Sequence, residues 1–197
     1  MKKVIIATKN KGKAKEFKAF FAPYKIEAVS LLDLEEEVPD IEETGESFVE
    51  NAALKAEEIS SRFQQPVLAD DSGLIIDSLE GRPGIYSARY AGEPTNDQAN
   101  IDKVLEEMKQ IPLEERSARF VCVLAIARPD EETIFVTGYC EGHIKTEQCG
   151  ENGFGYDPIF IPKGYTETMA QLDPSEKNQI SHRKQAMKQL EKRIHLL

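Results

Sequence analysis

The sequence has no tryptophan, only three cysteines and no long apolar run among its 197 residues. Three cysteines are too few, and odd in number, for a disulfide-bonded scaffold, which favours a reducing compartment. The first apolar run, Val4 to Ala7, is too short for a signal peptide, and no stretch approaches the ~18 apolar residues of a membrane span. These absences predict a cytoplasmic protein that does not associate with a membrane.

Basic residues are also in deficit. The chain carries 25 lysines and arginines against 35 acidic residues, a formal net charge of −10. General binding to nucleic acid or to an anionic membrane needs a basic surface, so both are disfavoured, although a local basic pocket for a small anion is compatible with this charge. Ordinary globular composition, with 40% apolar and 30% charged residues, and no visible linker predict one domain over residues 1–197.

The amino-terminal part of the chain predicts strands alternating with helices. Lys2 to Thr8 is a β-branched run typical of a strand buried on both faces. The apolar spacing then predicts a helix over Lys13 to Phe21 and a second strand over Glu27 to Leu32. Ser47 and Glu50 have capping-box spacing and predict the start of another helix. Its inward stripe is predicted to contain Phe48, Val49, Ala52, Ala53, Ala56 and Ile59.

Further short strands and two helices are predicted for the remainder of the chain. Two strands, Pro66 to Ala69 and Leu74 to Leu79, are predicted to flank a turn at Asp70 to Gly73. A hairpin is predicted at Arg119–Ala127 with Thr133–Tyr139, and a short strand at Ile159–Ile161. Helices are predicted at Asp97–Met108 and Pro174–Ile194. This order predicts an α/β fold, with a mixed sheet flanked by helices.

The first candidate site follows the first predicted strand and consists of Thr8, Lys9, Asn10, Lys11, Gly12 and Lys13. A strand that turns into a helix presents backbone N–H groups and the positive end of the helix dipole to a ligand. Three lysines and a hydroxyl in one turn add donors suited to a polyphosphate. The segment is not a Walker A loop, because the first glycine is missing and Ala14 replaces the magnesium-binding Ser or Thr. A solvated basic turn is the alternative.

The second candidate is the acidic pair Asp70 and Asp71. Adjacent carboxylates at a strand end can hold a hard cation such as Mg²⁺, which prefers oxygen ligands; a structural turn is the alternative. Lys55 falls at the edge of the inward stripe of its helix, so it either reaches solvent or binds an anion. Glu42 and Glu43 precede that helix and either add carboxylates to the site or complement the helix dipole.

Two later segments have the residues of a base-binding site. Phe154 lies between Gly153 and Gly155, which would let a planar base stack on the ring close to the backbone. Lys177, four residues before Ser181, and Arg183 provide donors for carbonyl or phosphate oxygens. An aromatic plug at the edge of the core and a basic helical face are the respective alternatives.

The combination of these motifs closely resembles the inosine triphosphatase, or Ham1-like, family and most of all its bacterial members. The matching blocks, which extend the resemblance over essentially the whole chain, are TKNKGK at 8–13, EETG at 42–45, FVENA at 48–52, ADDSGL at 69–74, PGIYSARY at 83–90, GFGYDPIF at 153–160 and ISHR at 180–183. The resemblance implies an elongated mixed sheet with helices, two lobes with a nucleotide cleft between them, and a homodimer.

The same resemblance implies an activity. Family members hydrolyse deaminated purine nucleoside triphosphates (dITP, ITP and XTP) to the monophosphate and pyrophosphate with Mg²⁺, which keeps these purines out of nucleic acid. Two alternatives stay open at this point. One is a Maf-like pyrophosphatase of other nucleotide specificity, and the other is a module that binds a nucleotide without hydrolysing it.

Site roles follow from the resemblance by position. It implies that Thr8 to Lys13 and Lys55 hold the triphosphate and that Asp71 is the base that activates water. Glu42, Asp70 and Asp71 are implied as the metal site. Ser72 is expected to touch the substrate. The base-recognition end is implied to consist of Phe154, Gly155, Tyr156, Asp157, Lys177, His182 and Arg183.

Overall fold

The computed structural model describes residues 2–196. In chain order its elements are β1 (Lys2–Ile6), α1 (Lys11–Phe21), β2 (Ile26–Ser30), α2 (Phe48–Phe63), β3 (Val67–Ile76), β4 (Pro83–Gly84), α3 (Asp97–Glu107), β5 (Ser117–Ala127), β6 (Ile134–Ile144), β7 (Phe160–Pro162), α4 (Pro174–Ile180) and α5 (His182–Glu191). Within residues 2–196, every helix is too short or too polar to cross a bilayer.

The strands form a seven-stranded sheet in the order β2-β1-β3-β5-β6-β7, with β4 paired to β3. β1 is parallel to both β2 and β3, whereas β4 is antiparallel to β3 and β7 is antiparallel to β6. The predicted α/β class, a mixed sheet flanked by helices, is therefore confirmed.

The central position of β1 determines where the carboxyl ends of the parallel strands meet. Val4 pairs with Ala28 of β2, and Ile6 pairs with Leu68 of β3. The chain passes through α1 to β2 on one side of β1 and returns through α2 to β3 on the other. Because such crossovers are right-handed, α1 and α2 belong to opposite faces of the sheet. In α/β sheets, ligands bind at this reversal point, beyond the carboxyl ends of the strands.

β3 differs from the prediction. It continues without a break from Val67 to Ile76, so Asp70 and Asp71 lie inside a strand and not in a turn between two strands. The two aspartates extend past the carboxyl end of β1, which pairs only with the start of β3. In the second half of the strand, the Leu74 amide donates to Ser87 Oγ at 2.8 Å. Pairing with neighbouring segments outweighs the local turn preference of an Asp-Ser-Gly sequence.

Two further elements depart from their predicted bounds. The predicted carboxyl-terminal helix is interrupted at Ser181, whose extended ψ of 147° ends α4 before α5 begins. β6 continues to Ile144, five residues past the predicted end at Tyr139, because its last residues pair with β7. On α2, Val49 is 42% exposed and does not belong to the inward stripe.

The described residues divide into two compact units that alternate along the chain. The first contains residues 2–71, 123–137 and 186–196, and its fully buried side chains include Ile5, Phe17, Phe21, Ile59 and Leu68. The second contains residues 72–122 and 138–185. Its core is a cluster from α3, β3, β5, β6 and β7 that includes Leu74, Ile76, Ile101, Val104, Phe120, Ile144 and Phe160.

Candidate active site

The loop from β1 to α1 is ordered by its own side chains. Thr8 is buried, and its Oγ1 accepts a hydrogen bond from the Asn10 amide at 3.1 Å. Asn10 caps α1, because its side-chain oxygen accepts from the Lys13 amide at 3.0 Å. The first turn of α1 contains no acidic residue, so no carboxylate within that turn neutralises the positive end of the helix dipole. The loop is thus suited to an anion.

Lys13 and Asp70 form an ion pair between α1 and β3. The ammonium nitrogen lies 2.7 Å from Asp70 Oδ2, and the Asp70 side chain is 3% exposed, against 27% for Lys13. Removing one member of so buried a pair leaves an uncompensated charge, which typically costs about 3–5 kcal/mol. The pair therefore fixes the Asp70 carboxylate beside the amino end of α1.

Lys55 on α2 lies among three carboxylates. Its ammonium nitrogen is 2.6 Å from Glu43 Oε1 and 4.0 Å from Asp71 Oδ1, and its side chain is 16% exposed. Burial alone would lower the pKa of Lys55, but the charges of Asp71, Asp70 and Glu43 outweigh burial and raise that pKa above its ordinary value. Lys55 is therefore a fixed positive charge at neutral pH.

These residues line a cavity of about 270 Å³ within the first unit. Its lining includes three lysines and three carboxylates, and the full set is Ala7, Thr8, Lys9, Lys13, Leu31, Pro39, Asp40, Ile41, Glu43, Lys55, Ile59 and Asp70. Each lysine contacts one of these carboxylates, including Lys9, which is 2.7 Å from Asp40. An anionic ligand can therefore bind by replacing carboxylates at the ammonium groups.

The acidic residues at this cavity suit Mg²⁺. Among residues 2–196, no three His, Cys, Asp or Glu side chains are grouped closely enough to hold a metal by themselves. Mg²⁺ is commonly held by one or two carboxylates together with waters and substrate phosphates. Asp70 and Asp71 are 4% and 7% exposed, and either carboxylate can serve as such a ligand, so the donor set fits. Glu42 is exposed, and Glu43, not Glu42, lines the cavity.

In the second unit, Phe154, Asp157 and Lys177 are in mutual contact. The buried Asp157 carboxylate accepts from the Phe154 amide at 2.9 Å and from Lys177 Nζ at 2.5 Å. Lys177 Nζ also lies 4.9 Å from the centre of the Phe154 ring, in cation–π range. Gly153, at φ +82°, leaves room for this group, since a Cβ there would lie 2.1 Å from Asp157 Oδ2.

His182 and Arg183 begin α5. The His182 ring stacks on Phe120 with centroids 5.1 Å apart and an interplanar angle of 20°, and Arg183 is 7% exposed. Tyr156 is buried and donates to the Ser87 carbonyl at 2.7 Å. Burial raises the pKa of Tyr156, with smaller contributions from Tyr90 and Asp97. The donors predicted for base recognition therefore lie in or beside the core of the second unit.

The structure places the predicted residues in two groups. Thr8, Lys9, Lys13, Lys55 and Asp70 line the cavity of the first unit, with Asp71 beside Lys55. The second group is formed by Phe154, Asp157 and Lys177. Lys11 and Gly12 are exposed in the first turn of α1, and Ser72 is half-buried on β3.

Sequence reasoning gave no role to two residues near the predicted site, Asp40, which contacts Lys9, and Asp97, which accepts a hydrogen bond from the Gly155 amide. Asp40 belongs to an acidic stretch in which no spacing distinguishes one carboxylate from another. Asp97 occupies a helix start, where an acidic residue is expected for capping alone. The sequence therefore contained no signal for either contact.

The fold and this site define an α/β protein with a lysine-lined cavity, suited to an anion, at the reversal point of a mixed sheet. The sequence model of the Ham1 family matches residues 4–193, so the chain belongs to the Ham1 family, as the motifs predict. It is similar to a protein named dITP/XTP pyrophosphatase from Oceanobacillus iheyensis, at 72% identity over the full length of both chains. A protein of the same name from Halalkalibacterium halodurans is 58% identical over 98% of each chain.

Solved structures agree with this assignment. The Ham1 protein of Staphylococcus aureus superposes with a TM-score of 0.91 at 44% identity, covering 98% of each chain. A HAM1 protein from Coxiella burnetii superposes with a TM-score of 0.93 at 42% identity over the full length of both chains. The fold of the present chain is therefore the Ham1 fold.

Proposed function

We propose that this protein hydrolyses deaminated purine nucleoside triphosphates (dITP, ITP and XTP) to the nucleoside monophosphate and pyrophosphate. The observation that carries the proposal is the cavity lined by Lys13, Lys55 and the buried Asp70, with the buried Asp71 beside Lys55. Support also comes from Ham1 family membership and from relatives that are named dITP/XTP pyrophosphatases. The activity removes deaminated purines from the nucleotide pool.

Asp71 is the proposed general base. Its carboxylate is buried at the reversal point of the sheet and has Lys55 as a cationic neighbour. A carboxylate so placed can accept a proton from the attacking water, which is the role that raises the nucleophilicity of water in phosphoryl transfer.

The lysines and the loop from Thr8 to Lys13 are proposed to bind the triphosphate. Lys55 contacts Glu43 at 2.6 Å, so a phosphate oxygen that reaches Lys55 replaces that carboxylate. Charge-assisted hydrogen bonds of this kind are short and strong. Lys13 and Lys55 then offset the charge that develops on the leaving pyrophosphate, which is the main demand of this reaction on a protein. Ser72 is proposed as an additional substrate contact.

Mg²⁺ is the proposed cofactor. Asp70 and Asp71 are the residues proposed to hold it, whereas the exposed Glu42, expected from the resemblance as a third carboxylate, lies outside the cavity lining. When bound, such an ion neutralises charge on phosphate oxygens and orients water.

Base selection is assigned to the second unit. The Phe154 ring, on the loop that contains Gly155, Tyr156 and Asp157, offers a stacking surface. Lys177, His182 and Arg183 are proposed to donate to the 6-carbonyl of hypoxanthine or xanthine. Adenine presents an amino donor at that position, which would leave these donors unpaired, and polar sites reject such ligands strongly. Guanine shares the carbonyl, so its 2-amino group must be disfavoured elsewhere in the site.

Homodimeric assembly and action in the cytoplasm are also proposed. The homodimer rests on the resemblance to the family, and the cytoplasmic location rests on the composition of the chain, with its three cysteines. Sedimentation equilibrium tests the assembly, since a homodimer has twice the mass of the 22.2 kDa chain.

A phosphate-release assay tests the activity. The protein is incubated with Mg²⁺ and ITP, XTP, dITP, GTP, ATP or dUTP, with and without inorganic pyrophosphatase. We expect orthophosphate from ITP, XTP and dITP only when pyrophosphatase is present, because the direct product is pyrophosphate. Preference for dUTP would favour a Maf-like specificity, and binding of ITP without turnover would favour a nucleotide-binding module. The Asp71→Asn variant controls for a contaminating enzyme.

A further inference from the structure

Phe154 is 66% exposed, so core packing does not fix the orientation of its ring. A side chain that stacks on a base must nevertheless be held in place before the ligand arrives, since ordering it on binding would weaken the affinity. Besides the Lys177 ammonium that lies 4.9 Å from the ring centre, the constraint on Phe154 comes from the backbone of its own loop and from the groups that hold that backbone.

Three consecutive residues of this loop are hydrogen-bonded. The Phe154 amide donates to Asp157 Oδ2 at 2.9 Å, a contact within the loop. The Gly155 amide donates to Asp97 Oδ2 at 2.9 Å, and the Tyr156 hydroxyl donates to the Ser87 carbonyl at 2.7 Å. The last two acceptors lie 58 and 69 residues away along the chain, so they anchor the loop to other parts of the second unit.

The two distant acceptors belong to one connected scaffold. Asp97 is the first residue of α3, and Asn100 on the next turn links that helix to the segment that contains Ser87. The Asn100 side chain accepts from the Ala91 amide at 2.7 Å and donates to the Ala88 carbonyl at 3.0 Å. Asn100 is 2% exposed, so this link is part of the core.

The carboxylate of Asp97 is not needed to cap α3. Asn96 is the N-cap, and its side-chain oxygen accepts from the Ala99 amide at 2.9 Å. Because the Asn96 side chain caps the start of the helix, the Asp97 carboxylate is available to accept a hydrogen bond from the Gly155 amide. Gly155 has a φ of +58°, a left-handed conformation that few residue types other than glycine adopt readily. The hydrogen bond to Asp97 holds the backbone in this conformation.

We infer that Asp97 is a positioning residue that fixes the Phe154 ring for base stacking. The inference rests on the proposed function, since it takes Phe154 as the surface on which the purine stacks. Asp97 acts through Gly155 and does not touch the substrate. Its removal is expected to weaken contacts with the base while leaving contacts with the phosphates intact.

The test compares Asp97→Ala with Asp102→Ala, a matched control on the same helix that also removes an exposed carboxylate with one side-chain hydrogen bond. Calorimetry measures the affinity for inosine monophosphate, which contains the base, and for pyrophosphate, which does not. Hydrogen exchange reports on the Gly155 amide. Thermal unfolding confirms that each variant is folded.

We expect Asp97→Ala to lower the affinity for inosine monophosphate about fivefold, which corresponds to the net contribution of one ordinary hydrogen bond. Pyrophosphate affinity should stay unchanged, the Gly155 amide should exchange faster, and Asp102→Ala should match the parent protein. Asp97→Asn keeps an oxygen acceptor and should restore most of the affinity. Equal losses for both ligands, or unchanged affinity for inosine monophosphate, would overturn the inference.

Failure of the proposed function is distinguishable from failure of this inference. If the parent protein binds inosine monophosphate but does not hydrolyse ITP, the proposed reaction is wrong, and the Asp97 comparison is still decided by binding. If the parent protein hydrolyses ITP, and Asp97→Ala has the same affinity for inosine monophosphate as the Asp102→Ala control, the proposed reaction is supported and the role inferred for Asp97 is wrong.

Discussion

The two groups of site residues are held in place by different interactions. In the first unit, Lys9, Lys13 and Lys55 each contact a carboxylate side chain. The group in the second unit has one such pair, Lys177 with Asp157, but its loop around Phe154 is also held by two backbone amides, which donate to Asp97 and Asp157, and by the Tyr156 hydroxyl, which donates to the Ser87 carbonyl. A phosphate can replace a carboxylate at a lysine, whereas a ligand does not replace the anchors of a loop.

Each region is therefore suited to a different part of a nucleotide. Exchangeable ion pairs suit a charged, flexible phosphate chain, because the ligand supplies the same charge that it displaces. Fixed anchors suit a rigid base, because discrimination depends on donors that cannot move to accommodate the wrong ligand. Variants in the first unit should therefore change phosphate affinity or turnover, and variants in the second should change base selectivity.

The largest effect is expected for Asp71→Asn. Removing the proposed base should lower kcat at least ~100-fold, since general base catalysis contributes about 10²–10⁴-fold. Binding of inosine monophosphate should persist, because the base-binding residues are unchanged. Steady-state turnover and calorimetry measure the two quantities. Near-normal turnover by the folded variant would show that the base lies elsewhere.

Lys55→Ala and Lys13→Ala should follow in size. Each removes a charged contact worth about 1.5–3 kcal/mol, so ITP affinity should fall by at least ~10-fold while inosine monophosphate affinity changes far less. Lys15→Ala, an exposed lysine on α1, is the control. Equal losses for mono- and triphosphate would contradict the assignment of these lysines to the outer phosphates.

Arg183→Ala tests the second unit. It should lower kcat/KM for ITP by about 10-fold and change the low kcat/KM for ATP much less. The reason is that the Arg183 guanidinium is proposed to donate to the 6-carbonyl of hypoxanthine, which adenine lacks. The ITP-to-ATP ratio should therefore narrow. Since Arg183 is buried, Arg183→Lys and a thermal unfolding curve separate recognition from stability. A proportional loss for both substrates would make Arg183 a structural or phosphate-binding residue.

Two glycines in one loop offer a matched pair. Gly153 and Gly155 both have left-handed φ values, +82° and +58°, which cost an alanine about 1–2 kcal/mol. Only at Gly153 would a Cβ collide with Asp157, whereas Gly155 has open space. Gly153→Ala should therefore add about 1–3 kcal/mol of overpacking and raise KM for ITP more than Gly155→Ala does. Identical unfolding temperatures and KM values would show that the contact is tolerated.

The smallest effect is expected for Asp40→Asn. The Lys9–Asp40 pair is exposed, with 91% of the Asp40 side chain accessible, and such pairs contribute about 0–1 kcal/mol. Freeing Lys9 should lower KM for ITP by no more than ~5-fold, and the shift should vanish at high salt. A rise in KM would mean that Asp40 helps to bind the substrate.

The parts of the fold that sequence predicted are those governed by local pattern. The apolar run of β1 and the serine that begins α2 were identified in this way, and Ser47 Oγ accepts from the Glu50 amide at 3.2 Å. The continuity of β3 was missed because it depends on β1, β4 and Ser87, which are distant in sequence. The break at Ser181 was also missed, since the surrounding residues have the spacing of one helix.

In the candidate site, too, the residues are predicted by local pattern, whereas their contacts depend on tertiary packing. The motif blocks alone predict Asp70, Asp71 and Lys55 as site residues, because their residue types suit phosphate chemistry. They did not reveal that Lys13 pairs with Asp70 or that Glu43 contacts Lys55. Those pairings are set by the packing of α1 and α2 against the sheet, which spacing along the chain does not encode.

The unbroken path of β3 makes its two aspartates depend on strand register. Successive side chains of a strand leave on opposite sides, in keeping with Asp70 meeting Lys13 of α1 and Asp71 approaching Lys55 of α2. Inserting or deleting one residue just before Asp70 would exchange the sides of the two carboxylates without changing the composition of the strand. The segment from Val67 to Asp71 should therefore accept substitutions more readily than changes in its length.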